Sequence, residues 1–256
     1  MPNPAFECRG EVARKSDLAH GGSRANAARD AHAGNTCASA LTTVFCDGRS
    51  AGTNWRYRGS ITREQWLLTE TRTIAQLRLE GLSNEEILAQ NLVNNYFQYP
   101  TERELASITK ACLLRLDNLS DDPQLRQELA RLIAHGAPAQ SAQTNLYALM
   151  RTYRIVWEFM LGVVGVKFQT VDMHLAKHEI ALFLENLRSQ SETVAGWSDG
   201  TLNKIRQVLT KCLVQTGYLS SPRSTDLHSI LLDLDLERAM RANGDAMALP
   251  AFACLE

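Results

Sequence analysis

The sequence predicts an all-α protein, a compact globular bundle of about seven helices. Apolar residues recur at intervals of three and four positions in successive segments, and residues typical of helix starts and stops bound those segments. No segment alternates apolar and polar residues with a period of two, as a half-buried strand would. The helices do not repeat at a fixed period, which favours a bundle over a solenoid of repeats.

The N-terminal part of the predicted bundle contains three helices joined by short links. The first spans residues 66–79 and ends at Gly81, a residue typical of helix C-termini. Ser83 and Glu86 form the Ser-x-x-Glu pattern of a capping box and open the second helix. The third helix, residues 101–118, opens with the same pattern.

This three-helix rhythm resembles a helix-turn-helix domain, in which one helix enters the major groove of DNA. The third helix carries the cations Arg103, Lys110 and Arg115, and it also carries Glu102 and Glu104. The mixed charge makes it a mediocre recognition helix, and a bundle that docks other proteins would show the same pattern.

Further helices are predicted in the second half of the chain. One runs from Asp121 to Gly136 with a proline in its first turn. The next, residues 146–161, has apolar residues over five turns and is predicted to be central. The remaining predicted helices cover residues 172–191, 202–213 and 227–242. Residues 246–256 are expected to form a flexible tail.

The composition of the chain changes near residue 56. The first 56 residues hold eleven Ala and six Gly but only two Leu and no Ile, so they cannot supply a periodic apolar face. We expect residues 1–56 to be a disordered extension, or an upstream region included by a misassigned start. The helical domain is then residues 57–245, with sub-parts of about 57–120 and 121–245.

Charge and hydropathy exclude several broad classes. The formal net charge of −1 gives no global sign of a nucleic-acid or membrane partner, so any basic surface must be local. The longest apolar stretch, residues 155–166, is shorter than the roughly 20 residues of a membrane span. The N-terminus lacks the pattern of a secretory signal, and we therefore expect a cytoplasmic protein.

Motifs for catalysis and metal binding are absent or weak. The sequence has no phosphate-binding loop, dinucleotide fingerprint, nucleophile elbow or zincin motif, so we predict no enzymatic activity, cofactor or small-molecule substrate. His174 and His178 lie four residues apart but lack a third ligand. The carboxylates within residues 233–237 point to different helix faces, and the apolar Gly162–Gly165 segment favours close helix packing over RNA contact. We predict no metal site.

Three clusters of cationic residues are the remaining candidates for a binding site. One forms a row on the polar side of the predicted helix 202–213, where it can contact a phosphate backbone. Another lies on the long central helix, where Glu158 can neutralise one member at the i+4 position. A third lies at the start of the folded part and includes Arg56. The candidate DNA-contact residues are, in that order, Lys204, Arg206 and Lys211; Arg151 and Arg154; and Arg58 and Arg63.

Several segments resemble the BrxA family of bacteriophage-exclusion (BREX) defence systems. The similar segments are YRGSI (57–61), ETRTIA (70–75), LEGLS (79–83), NYFQYPT (95–101), RTYRIVWEF (151–159), WSDGT (197–201) and KIRQVL (204–209). The resemblance covers about residues 57–240, and its motifs are spread along the chain. Residues 1–56 match nothing in the family.

The resemblance implies a small helical cytoplasmic protein, similar in fold to the antitermination factor NusB, that binds double-stranded DNA beside other BREX proteins without catalytic activity. It supplies no residue-level motif, so the candidate contact residues rest on charge alone. Two hypotheses from different classes therefore stand. One is a DNA-binding accessory subunit, with an RNA-binding NusB-like variant; the other is a helical adaptor that docks other defence proteins.

Overall fold

A computed structural model describes residues 55–254 and confirms the all-α fold class, since every regular element in that range is a helix. The predicted extension therefore lies outside the described residues, apart from Trp55 and Arg56. The helices are α1 (Ile61–Glu64), α2 (Leu68–Leu79), α3 (Asn84–Asn94), α4 (Glu102–Asp117), α5 (Pro123–His135), α6 (Pro138–Thr152), α7 (Arg154–Phe159), a π-helix (Met160–Gly165), α8 (Val166–Gln169), α9 (Lys177–Gln190), α10 (Glu192–Ala195), α11 (Asp199–Thr216), α12 (Leu234–Ala242) and a 3₁₀ helix (Ala246–Phe252).

The helix starts follow the capping residues that the sequence indicates. Ser83 accepts a hydrogen bond from the backbone N–H of Glu86, whose carboxylate accepts one from the Ser83 N–H, so the capping box of α3 is complete. Thr101 caps α4 through the Glu104 N–H at 3.2 Å. Asp122 caps α5 through the Gln124 N–H at 2.8 Å, with proline in the first turn. These bonds satisfy N–H groups that a helix leaves free at its start.

One hydrophobic core joins the predicted sub-parts. Helix α2 packs against α5, and α4 packs against α6, so elements from both sides of residue 120 share buried side chains. The chain is buried at every position from 141 to 150, which confirms that α6 is the central helix. The core extends from Ile61 to Phe252.

The predicted central helix is interrupted, which the apolar periodicity did not indicate. Helix α6 begins earlier than expected and ends at Tyr153, where the backbone is extended (φ −120°, ψ 108°). The chain then continues as α7, the π-helix and α8 to Gln169. The side chains keep facing the core through the break, so the sequence pattern is the same as that of one long helix.

The expected final helix is also shorter, because residues 227–233 are not helical. The Leu227 N–H donates to the Met173 carbonyl at 2.8 Å, and the Leu175 N–H donates to the Thr225 carbonyl at 2.7 Å. These bonds pair two stretches that the sequence placed in separate helices, so α9 and α12 begin only at Lys177 and Leu234. The periodicity of apolar residues within one segment cannot reveal a pairing between stretches about 50 residues apart.

The C-terminal segment differs from the expected flexible tail. Residues 246–252 form the 3₁₀ helix, and Ala248, Leu249 and Phe252 are at most 1% exposed. This helix packs on the π-helix, where a Cβ at Gly165 would lie 3.2 Å from the Ala251 backbone nitrogen. Burial of these apolar side chains holds the segment on the bundle.

Candidate nucleic-acid interface

Helix α11 presents a basic row because its other side is held in the core. Its apolar residues, from Leu202 to Leu213, are buried against α6 and neighbouring helices. The Ser198 hydroxyl caps its start through the Thr201 N–H at 3.2 Å, and Gly217, at φ +88°, ends it. Lys204 and Lys211 are consequently exposed, as the sequence predicted.

The segment that contains α1 lies along α11. The backbone at Gly59 is against the Trp197 indole, and a Cβ there would lie 3.6 Å from its ring. Further along, the Lys211 ammonium contacts the Gln65 side-chain oxygen at 3.4 Å. Arg58 and Arg63, which are exposed, therefore lie on a segment adjacent to the basic row. We call Arg58, Arg63, Lys204 and Lys211 together the basic surface.

The positive charge of the basic surface is not neutralised within the described residues. None of its four cations forms an ion pair with a carboxylate from residues 55–254. Two neighbouring acids have other partners: Glu64 accepts hydrogen bonds from Tyr153 and Ser60, and Asp199 pairs with Arg188 at 2.9 Å. The surface can therefore attract a polyanion.

Arg206 lies beside this surface and lines a groove between α9 and α11. The guanidinium is half-buried and donates to the Asn203 side-chain oxygen at 2.7 Å. The groove has a cavity volume of about 420 Å³, and Lys177 and Lys211 also line it. We call this cavity the α9–α11 groove.

Arg151 and Arg154 do not belong to the basic surface. The Arg151 side chain is only 10% exposed, pairs with Asp245 and donates to the Asn118 carbonyl at 2.6 Å. The sequence predicted a surface residue here, and that prediction is wrong. The reason is that the last turn of α6 lies under the C-terminal segment. Arg154 pairs with Glu158 at 2.7 Å, confirming the predicted neutralisation, and its guanidinium lies 4.5 Å from the centre of the Tyr57 ring.

Helix α4 exposes only two of its three predicted cations. Eight of its 16 residues are buried, including Arg115, whereas Arg103 and Lys110 are exposed. The Arg115 guanidinium donates to the carbonyls of Glu64, Gln65 and Trp66, where α1 ends. Arg115 therefore satisfies backbone acceptors inside the bundle and is not available to DNA.

The weaker sequence candidates have structural roles or remain apart. Asp233 caps α12 by accepting hydrogen bonds from two backbone N–H groups, those of Asp235 and Leu236. His174 and His178 are both exposed. Among residues 55–254, no group of three His, Cys, Asp or Glu side chains is arranged to hold a metal ion.

The sequence missed Lys177 as a member of a cationic site. Lys177 lies about 30 residues before the basic row of α11, and only the packing of α9 on α11 brings them to one groove. A single lysine at a helix start carries no signal of its own in the sequence. Within the described range, no helix combines the length and apolar character needed to cross a bilayer.

Comparison with known proteins identifies the family. The BrxA family model matches residues 55–244. The chain belongs to the BrxA family. A relative from Bacillus cereus, named BREX protein BrxA, is 32% identical over 75% of this chain and 93% of its own length. Another of that name, from Paramagnetospirillum magneticum, is 23% identical over 74% of this chain and 92% of its own. Membership places the chain among the BREX phage-defence proteins.

A solved structure shares the fold. The crystal structure of an uncharacterized protein from Magnetospirillum magneticum aligns with a TM-score of 0.64 at 22% identity. The alignment covers 77% of this chain and 98% of that chain. The BrxA bundle described here is thus also the fold of that protein.

Proposed function

We propose that this BrxA protein is a non-enzymatic BREX component that binds double-stranded DNA through the basic surface. The observation that carries the proposal is the set of four exposed cations on two adjacent segments, none paired with a carboxylate in residues 55–254. Lysine and arginine in this arrangement contact phosphates and read little sequence. Other BREX proteins are the expected partners.

The salt dependence of binding tests the proposal. Each neutralised phosphate contributes a slope of about −0.9 to log K against log salt, so four contacts give a slope of about −3 to −4. We would titrate a fluorescein-labelled blunt duplex with the full chain at several salt concentrations and follow anisotropy. RNA duplexes and single strands of equal length serve as competitors and test the RNA-binding variant.

A charge-reversal pair locates the site. Arg63→Glu with Lys204→Glu changes two exposed residues of the basic surface and leaves the α9–α11 groove intact. We expect the salt slope to fall by about 2 and the affinity at low salt to drop by more than tenfold. Arg103→Glu with Lys110→Glu makes the same charge change at exposed positions of α4 and should keep most of the affinity. Equal losses in the two pairs would contradict the assignment.

A specific observation keeps the adaptor hypothesis as a second candidate. Leu231 and Leu234 are 93% and 78% exposed just before and at the start of α12. The buried Gln143 amide fixes this stretch by bonding the Leu231 carbonyl at 2.8 Å and the Asp233 N–H at 2.9 Å. Rigid, exposed leucines suit a protein contact. Co-purification with BREX proteins after nuclease treatment, if it is lost in Leu231→Asp, would support this function. Failure of the unsubstituted protein to co-purify with any BREX protein would contradict it.

A further inference from the structure

The α9–α11 groove has the size of a small-molecule site. Its volume of about 420 Å³ lies within the range of about 300 to 1,000 Å³ that ligand pockets occupy. It is formed by the first turn of α9, by one side of α11 from Arg206 to Gln215, and by Pro222 in the following loop. The groove lies beside the basic surface and shares Lys211 with it.

The charge of the groove is entirely positive. Lys177, Arg206 and Lys211 line it, and no carboxylate from residues 55–254 does. None of these three cations forms an ion pair with an acid in the described part of the chain. The acid in the first turn of α9, Glu179, pairs with Lys167 at 2.8 Å and accepts from the Ala176 N–H at 2.6 Å. The groove therefore selects for a multiply charged anion.

The rest of the lining is apolar or neutral, which a site for bare phosphate does not require. Ile180, Val214 and Pro222 contribute apolar surface. Thr210 and two glutamines contribute neutral hydrogen-bonding groups. A ligand that fits this lining combines several negative charges with a partly apolar body that carries hydrogen-bonding groups.

We infer that the α9–α11 groove binds a nucleotide, with its phosphates on the three cations and its base against the apolar lining. The nucleotide is either free or an unpaired nucleotide of a nucleic acid, since both present the same groups. An acidic peptide fits less well because its charges are spread along an extended chain, whereas the three cations line a single cavity. This proposal opposes the sequence-based expectation of no small-molecule ligand, and it does not depend on duplex binding by the basic surface.

The test uses the full chain and a fluorescent ATP analogue, mant-ATP, in equilibrium titrations. Lys177→Glu reverses a charge that lines the groove and lies outside the basic surface. Gln207→Trp fills the groove from an exposed position without changing charge. Lys110→Glu, on α4, is the control with the same charge reversal outside the groove. Circular dichroism checks that each variant keeps its helix content.

The proposal predicts that both groove variants weaken mant-ATP binding by about tenfold or more. Lys177→Glu removes a charge-assisted bond to a phosphate, and Gln207→Trp occupies the space of the ligand. Lys110→Glu should change it by less than about twofold, and unlabelled ATP should compete better than inorganic triphosphate, which lacks a base. Equal competition by triphosphate would overturn the proposal. Displacement by hexaglutamate but not by ATP would overturn it in favour of an acidic peptide.

A second arm separates the two sources of nucleotide. A duplex with a one-nucleotide 5′ overhang is compared with a blunt duplex. If the overhang raises affinity about tenfold and Lys177→Glu removes that gain, the groove takes an unpaired nucleotide of DNA. If ATP binds and the overhang adds nothing, it takes a free nucleotide. The absence of groove-dependent binding in both arms would overturn the proposal. Binding of the blunt duplex alone would still support DNA binding by the basic surface.

Discussion

At the residue scale, the arginines and lysines of this protein divide into surface and interior groups that look alike in the sequence. Arg115 and Arg151 carry the same side chain as Arg63, but their guanidinium groups bond to buried carbonyls or to Asp245. Arginine is suited to such interior positions because its planar group can satisfy several acceptors at once. Only the packing of the helices separates the two groups.

Arg151 and Lys204 should therefore respond oppositely to substitution. Arg151→Gln removes the guanidinium that pairs with the buried Asp245, and we expect the free energy of unfolding to fall by about 3 to 5 kcal/mol. Duplex affinity of the folded fraction should stay unchanged. Lys204→Gln should weaken duplex binding and change stability by less than about 0.5 kcal/mol.

Urea unfolding followed by circular dichroism measures the stability of both variants. Fluorescence anisotropy at low salt, without urea, measures their affinity for the duplex. A stable Arg151→Gln protein that loses DNA affinity would return Arg151 to the set of DNA contacts. It would show that the C-terminal segment opens to expose that side chain.

At the element scale, the sequence predicted helices wherever a capping residue and an apolar face coincide. Helices α3, α4 and α5 begin at the predicted caps, because capping depends on residues within one turn. The sequence did not predict the interruption at Tyr153, the π-helix or the non-helical stretch 227–233. These features depend on contacts with distant segments, such as the Gln143 amide that holds the Leu231 carbonyl.

Alanine substitutions at the two glycines of the π-helix should change the stability of the protein in opposite directions. Gly165→Ala places a Cβ 3.2 Å from the Ala251 nitrogen and 3.3 Å from the Met160 carbonyl oxygen, both backbone atoms. We expect a loss of stability of about 1 to 3 kcal/mol. Gly162→Ala meets nothing within 4 Å and should stabilise the protein by about 0.5 to 1 kcal/mol, because alanine has less backbone freedom to lose.

Thermal unfolding of the two glycine variants provides the comparison. Matching behaviour of Gly165→Ala and Gly162→Ala would mean that the 3₁₀ helix does not pack on the π-helix in solution. The sequence favoured close helix packing at Gly162–Gly165. Of these two glycines, Gly165 makes the close approach and Gly162 does not.

At the scale of the whole molecule, one continuous core couples the C-terminal segment to the bundle. Phe252 is fully buried although it lies beyond the last α-helix. The sequence predicted a flexible tail here because the segment lies beyond Gly244, after the last predicted helix. The prediction of candidate DNA-contact residues has a similar limit. The charge pattern identified the row on α11 but could not show that Arg63 and Lys177 lie near it in the fold.

Truncating Phe252 should therefore destabilise the entire domain. Phe252→Ala removes a fully buried aromatic ring, and we expect a loss of about 3 to 5 kcal/mol in a single cooperative transition. Met247→Ala is the matched control in the same 3₁₀ helix, where the side chain is 37% exposed and the loss should be smaller. Urea unfolding with both far-ultraviolet and tryptophan signals tests the cooperativity. A Phe252→Ala protein as stable as the control would restore the flexible-tail interpretation.

Two buried thiols should make the stability of the domain fall in alkali. Burial raises the pKa of Cys112 to about 11 and that of Cys212 to about 12, above an ordinary value near 9. The folded protein therefore holds both thiol protons more tightly than the unfolded chain does, so their contribution is fully present below about pH 9 and is lost as the pH rises towards 11 and 12. Between pH 8 and pH 10 we expect the free energy of unfolding to fall by about 2 to 3 kcal/mol. Urea unfolding at each pH measures this fall, and the variant Cys112→Ala with Cys212→Ala should flatten it even though its stability is lower throughout. An equally steep fall in that variant would assign the alkaline loss to other groups.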